Sequence, residues 1–320
     1  MIDVVALGEL LIDFATVSTD RDGYPTMAAH PGGAPANFLA TLTKYGYNTA
    51  LLGKVGADTF GSLLLDTLKK ACIETKGLVQ TDDVFTTLAF VTFDHSGDRH
   101  FAFARKPGAD TCISFAELDL SLIDEAKVFH FGTLSLTDEP ARSATQQAIA
   151  YAKSKGKLIT YDPNLRKPLW KDMDTAKEQL LWGLKQADLV KISDEEVEFL
   201  FDCEPEAGAD KLLEDFGVSL VMVTLGANGA YLKNKNGSVY IKCPPVNPVD
   251  TTGAGDIFGG SAVSRLLKLG VAPAELTQEQ LLEIGEFAST AASLSTEQFG
   301  GIPSIPEEKI VLDTLLQNRK

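Results

Sequence analysis

Seven residues, Asp250-Thr251-Thr252-Gly253-Ala254-Gly255-Asp256, combine hydroxyls, glycines and two carboxylates just ahead of an apolar stretch. Along "AGDIFGGSAVSRLLKLG", Ile257, Ala262, Leu266 and Leu269 can share one helix face, and Gly270 can end the helix. Gly253, Ala254, Gly255 and Asp256 then sit at a helix N-terminus, where unpaired amides and the helix dipole favour an anion. A carboxylate is out of place in a simple phosphate cradle. Unit charges about 4 Å apart repel by roughly 4 kcal/mol at an effective dielectric of 20. The conflict eases if Asp256 takes the proton of a hydroxyl that attacks phosphorus, while the loop amides hold the charge on the transferring group. Asp250 and Thr252 can bind a cation or brace the loop. A turn with no chemistry is the other reading of the heptapeptide, and the residues alone leave both open.

A second constellation lies in "HPGGAPANFLA" (30–40). Gly32 and Gly33 precede a helical pattern, and Asn37 falls one turn inside it. Main-chain amides and an Asn side chain suit sugar hydroxyls. Asp13, closing "GELLID", can accept from two hydroxyls at once. Each of these residues also has a plain structural reading as a turn, a surface amide or a strand-end acid. Two familiar nucleotide motifs are excluded. No G-x-x-x-x-G-K-[ST] occurs, and the late glycines are spaced G-x-G-x-x-x-G rather than as a dinucleotide fingerprint. His30, His95, His100 and His130 show no metal-ligand spacing.

The elements that must hold these residues alternate. "VVALG", "TALLGKVG", "AKVFHFG", "KLITYD", "DLVKIS" and "LVMVTLG" read as buried strands, separated by helical patterns near 34–46, 59–71, 138–154 and 174–186. Such alternation predicts a mostly parallel sheet with helices on both faces. Two stretches break the rhythm. Residues 10–31 hold no good helix, and 84–105 read as two strands joined by the turn "DHSGD". Segments 10–33 and 84–108 are expected to form a small β-sheet lid within a single domain spanning 1–320. An oligomer interface is the other role for such a sheet, and the two are compatible.

The bulk properties set limits. The chain has 320 residues with a net charge of −15, which disfavours nucleic acid and anionic lipid as partners. A polyanion must therefore be met by local positive potential or a divalent metal. The opening "MIDVVALGELLIDF" lacks a basic leader, and no apolar run approaches the roughly 20 residues that span a bilayer. Four dispersed cysteines fit buried thiols in a reducing cytoplasm.

"GGAPAN" early and "DTTGAGD" late resemble the two motifs of the PfkB (ribokinase-like) family of carbohydrate kinases, and the likeness runs over essentially the whole chain. "GELLIDF", "GKVGADTFG", "YDPNLRKPLW", "KISDEEVEFL" and "VTLGANGAYL" are similar to fructokinases in particular. The resemblance implies a three-layer ribokinase-like α/β fold. It implies Asp256 as catalytic base, with Gly253, Ala254 and Gly255 completing an anion hole. Asp13, Gly32, Gly33 and Asn37 match sugar-binding positions, and Arg105 and Arg166 match substrate-facing or lid arginines. Lys191, Ser193, Glu196, Thr224, Gly226 and Gly229 match the nucleotide side, Glu196 through water around Mg²⁺. Asp250 and Thr252 match a monovalent-cation site, which implies K⁺. Ser193 stands where the family motif has Asn, and Ala104 and Gly108 depart from the usual lid residues.

The reaction implied is transfer of the γ-phosphoryl of ATP to a small sugar, foremost fructose, with closure of the lid excluding water. A homodimer through the lid is a further expectation. The alternatives are 2-keto-3-deoxygluconate, another sugar or a nucleoside as acceptor. From another class, the chain would be a sugar-binding regulator without catalysis.

Overall fold

In the computed structural model, which describes residues 1–93 and 99–318, apolar strands feed two cores at once. Side chains alternate across a strand. In β1 (Val4–Leu7), Val4 and Ala6 therefore enter one core while Val5 and Leu7 enter the other. A strand covered on both faces needs no polar positions, which is why its sequence reads as continuously apolar.

From β1 the chain runs out through β2 (Leu11–Thr19) and β3 (Pro25–Gly32), then returns by α1 (Ala34–Lys44), β4 (Thr49–Gly56), α2 (Thr59–Lys70) and β5 (Leu78–Thr81). A second excursion, β6 (Leu88–Phe93) and β7 (Arg99–Ala104), precedes α3 (Leu120–Glu125). Strand and helix then alternate through β8 (Val128–Gly132), α4 (Ala141–Ser154), β9 (Leu158–Asp162), α5 (Met173–Leu184), β10 (Leu189–Ser193), α6 (Asp194–Phe201), α7 (Pro205–Glu214) and β11 (Leu220–Thr224). An antiparallel pair, β12 (Ala230–Asn234) and β13 (Gly237–Ile241), leads to α8 (Ala254–Leu269), α9 (Gln278–Ser295) and α10 (Glu308–Asn318).

The main sheet has the order β13-β12-β11-β10-β9-β8-β1-β4-β5. Its strands are parallel from β5 to β11. Helices α1, α8 and α9 cover one face, and α4, α5 and α7 the other. Strand order reverses around β1, which has β4 on one side and β8 on the other. Ligands of open parallel sheets bind beyond the carboxyl ends of the strands at such a reversal.

The second sheet, β3-β2-β6-β7, stands on the two excursions. β2 pairs parallel with β6, and the outer pairings are antiparallel. Phe14 of β2 stacks on Phe90 of β6 with ring centroids 5.3 Å apart, and meets Phe60 of α2 edge-on at 5.5 Å. One aromatic cluster thus ties the small sheet to the main body. The expected turn 94–98, with His95, lies outside the described residues.

Local capping fixes the helices that face the strand ends. Gly33 precedes α1, and buried Glu9 accepts the Ala34 amide on Oε1 at 2.9 Å. Ser193 and Glu196 form a capping box at the start of α6. Gly270 ends α8 in the left-handed conformation. Among the described residues no helix is long and apolar enough to cross a membrane.

Candidate active site

The late glycine loop and the early Gly-Gly segment meet at one side chain. Asp256 lies in the first turn of α8, and its Oδ2 accepts from Asn37 Nδ2 of α1 at 2.8 Å. The turn into α8 requires Gly253, whose φ of 78° lies in the left-handed region. A Cβ there would also crowd the Gly301 backbone and the Asn37 amide. Two motifs more than 200 residues apart are thus locked by backbone shape and one hydrogen bond. Asn37 is buried, and among the described residues its Oδ1 has no partner. The resemblance gave Asn37 to the sugar; its amide is in contact with the carboxylate that the sequence marked as base.

Burial pushes the Asp256 carboxyl up to about 6, aided by the Asp162 charge. The Asn37 hydrogen bond and the Lys191 and Arg166 charges pull the other way. A group so placed can change protonation near neutral pH. Asp13, on β2, is also raised to about 6, by burial and the Asp250 charge, with Arg166 opposing. It packs so tightly on Gly32, the last residue of β3, that a Cβ there would collide with its carboxylate. Arg166 is exposed on the loop after β9 and acts on both Asp13 and Asp256.

Beneath the loop lies a buried ion pair. Lys191 Nζ of β10 donates to Asp162 Oδ2, at the end of β9, at 2.9 Å. The same ammonium is 2.8 Å from where a Cβ on Gly255 would stand. Asp162, Glu196 and Asp256 outweigh the burial that disfavours its charge, and raise its pKa.

The remaining predicted residues divide. Glu196 accepts the Leu165 amide at 2.7 Å and the Ser193 amide at 2.9 Å. It therefore braces the loop that carries Arg166 as well as its own helix. Burial, then the charge of Asp162, raises its carboxyl. Ser193 ends β10 in register with Thr224 at the end of β11. Gly226 and Gly229 shape the turn into β12. Asp250 accepts from the Thr252 amide and hydroxyl and from the Gly300 amide, so these residues brace the loop.

Arg105, expected as a substrate-facing or lid arginine, is turned into the protein. It is only 5% exposed. Nε and Nη2 bind Asp110 Oδ2 at 2.8 and 2.7 Å, Nη1 binds Thr137, and Nη2 binds the Leu134 carbonyl. Its donors are spent on protein.

Asp162 was missed by sequence reasoning. The available signal was its position as the terminal acid of the apolar run "KLITYD", at the carboxyl edge of a parallel strand. His130 is buried, stacked on Phe38 at 3.8 Å and paired with Thr160; burial lowers its pKa to about 4. Among the described residues no three His, Cys, Asp or Glu side chains cluster as a metal cage.

Comparison with known proteins places the chain in a family. The family model described as pfkB family carbohydrate kinase matches residues 1–308. Fructokinase-2 of Oryza sativa subsp. japonica is 42% identical over 312 residues, covering 95% of this chain and 90% of that protein. A fructokinase from Xylella fastidiosa with bound ATP superposes with a TM-score of 0.90 at 27% identity, covering 99% of this chain and 98% of that one. A fructokinase double mutant from Vibrio cholerae O395, in fructose, ADP and potassium ion bound form, gives a TM-score of 0.85 at 30% identity, with 98% of each chain covered.

Proposed function

The chain belongs to the pfkB family of carbohydrate kinases, and from that premise we propose that it is an ATP-dependent fructokinase that forms fructose 6-phosphate and ADP. The observation that carries the reading is the Asp256 carboxylate, set beside the free amides of the α8 N-terminus and held by Asn37. A primary hydroxyl of the sugar loses its proton to Asp256 as its oxygen bonds to the γ-phosphorus. The bond from that phosphorus to the bridging oxygen breaks, and ADP leaves. Amides of Gly255 and Asp256 offset the charge on the transferring group. Asp13, Gly32 and Gly33 line the sugar side. Ser193, Thr224, Gly226 and Gly229 line the nucleotide side at the ends of β10 and β11.

A neutral sugar suits this site. Arg105 is saturated by Asp110, Thr137 and Leu134, Lys191 is paired with Asp162, and Arg166 faces both Asp13 and Asp256. Of these three cations only the exposed Arg166 is placed to meet a substrate carboxylate.

Mg²⁺ and K⁺ belong to this reading. With no protein cage of acids among the described residues, a divalent ion suits this site only if nucleotide phosphates and water supply most of its ligands. Glu196 retains lone pairs for such water, and Asp250 with Thr252 offers oxygens to a monovalent cation. Bound Mg²⁺ supplies neutralisation of phosphate charge. A homodimer through the small sheet, where Val17 and Tyr24 are exposed, and a cytoplasmic location complete the reading.

A coupled assay of ADP release over fructose, ribose, glucose, 2-keto-3-deoxygluconate and nucleosides tests the acceptor, and fructose is expected to give the highest kcat/KM. Asp256→Asn is expected to keep its fold and bind fructose while losing about 10²–10⁴ in kcat. Turnover like that of the wild type would remove the base from the mechanism.

A further inference from the structure

Behind the reacting groups, four chemically active side chains line one small cavity. Asp162 enters it from β9, Lys191 from β10, His130 from β8 and Asp256 from α8, with Phe38 of α1 as an apolar wall. Asp162 is 6% exposed. One of its oxygens takes the Lys191 ammonium, and the other is buried with no partner among the described residues. A buried ion pair is weak grounds for stability, because desolvation offsets most of its attraction. Leaving a carboxylate oxygen unpaired costs more. An arrangement this costly, beside a base and a phosphate-binding helix end, points to use in the reaction.

We propose that Asp162 is a positioning residue for phosphoryl transfer: it holds the Lys191 ammonium against Gly255, beneath the anion-binding end of α8, and presents a second carboxylate to Asp256 across a shared cavity. The inference rests on the reading of Asp256 as base. Two consequences follow from the charges. Lys191 supports the helix end from below, where a flexible four-carbon chain would otherwise place its charge loosely. The Asp162 charge disfavours ionisation of Asp256, which makes Asp256 a stronger base than an isolated carboxylate. The groups acting on Asp256 are Asp162 and Lys191 from the strands, Arg166 from the loop after β9 and the neutral Asn37 amide from α1. His130 adds no charge near neutral pH.

The test compares Asp162→Asn, Asp162→Glu and the double variant Asp162→Asn with Lys191→Met. Titration of the Asp256 carboxyl is followed by NMR of carbon-13-labelled aspartate, assigned with Asp256→Asn, beside the pH profile of kcat. Asp162→Asn is expected to move the Asp256 midpoint and the acid limb of kcat to lower pH, with a lower plateau in kcat. Asp162→Glu should return both towards wild type. The double variant, which removes both members of the buried ion pair, should move the midpoint the same way but less, because the push of Asp162 exceeds the pull of Lys191. If Asp162→Asn does not fold, the double variant carries the test. A folded variant whose Asp256 carboxyl titrates at the wild-type pH overturns the proposal. The NMR titration needs no turnover. Failure of the kinase reading would therefore show separately, as absent fructose-dependent ADP release or a fully active Asp256→Asn.

Discussion

Asp256 illustrates how a pKa becomes a rate. Its carboxyl sits at about 6 because burial and the Asp162 charge outweigh three opposing influences. On the proposed reading of Asp256 as base, turnover needs the ionised form, so activity is expected to be full well above pH 6 and to fall about tenfold per unit well below it. Asn37 donates to the ionised carboxylate and so favours it. Its removal has a definite sign: Asn37→Ala is expected to shift the acid limb of kcat/KM to higher pH and to lower the rate at neutral pH. A pH–rate profile of the folded variant with its acid limb at or below the wild-type position would show that this hydrogen bond does not tune the base. At this scale the sequence singled out Asp256, because a carboxylate among closely spaced glycines at a helix start has few structural uses. It did not reveal how Arg105 is saturated: Asp110 lies five residues on, but the 134–137 turn becomes a neighbour only through tertiary folding.

Helices and strands were legible where pattern and cap agree. The run into α8 combined a glycine start, an apolar stripe and Gly270 at its end, and the helix spans Ala254–Leu269. The six apolar runs became β1, β4, β8, β9, β10 and β11, whose burial on both faces leaves a strong signal. The antiparallel pair β12–β13 escaped, because it lies at the sheet edge where polar and apolar residues mix. Glu9 escaped too: nothing local marks an acid that caps a helix 25 residues later. Its consequence is thermodynamic. Burial lifts its carboxyl from 4.5 to about 7. Between those values the folded protein holds a proton that the unfolded chain releases, so stability falls as pH rises across the window. The carboxyl alone accounts for a loss of about 3 kcal/mol. Glu9→Gln keeps an acceptor for Ala34 and cannot ionise. Urea midpoints at about pH 5 and about pH 8 should therefore converge in this variant relative to wild type. Parallel pH dependence in the two proteins would count against a buried ionisable cap at α1.

Across the whole molecule, two sheets of unequal size meet over the strand ends, and Ile12, Phe14, Ala29 and Leu88 of the smaller one reach the main core. Phe60 of α2 touches Phe14, which stacks on Phe90, so one aromatic cluster couples the small sheet to the body. The presence of that sheet was legible from two stretches that broke the strand–helix alternation. Its attachment was not, because Phe60 reads as one more apolar residue on a helix. A kinase must keep water from the γ-phosphorus, and on the proposed reading the small sheet is a lid that does so only when correctly set. Phe60→Ala is expected to loosen the small sheet while leaving the carboxyl ends of β9, β10 and β11 intact. The variant should then raise KM for fructose several-fold, leave KM for ATP near wild type, and increase the share of ADP released without sugar. Parallel assays with and without fructose measure that share directly. Equal shares in wild type and a folded Phe60→Ala would count against a water-excluding lid held in place by this aromatic contact.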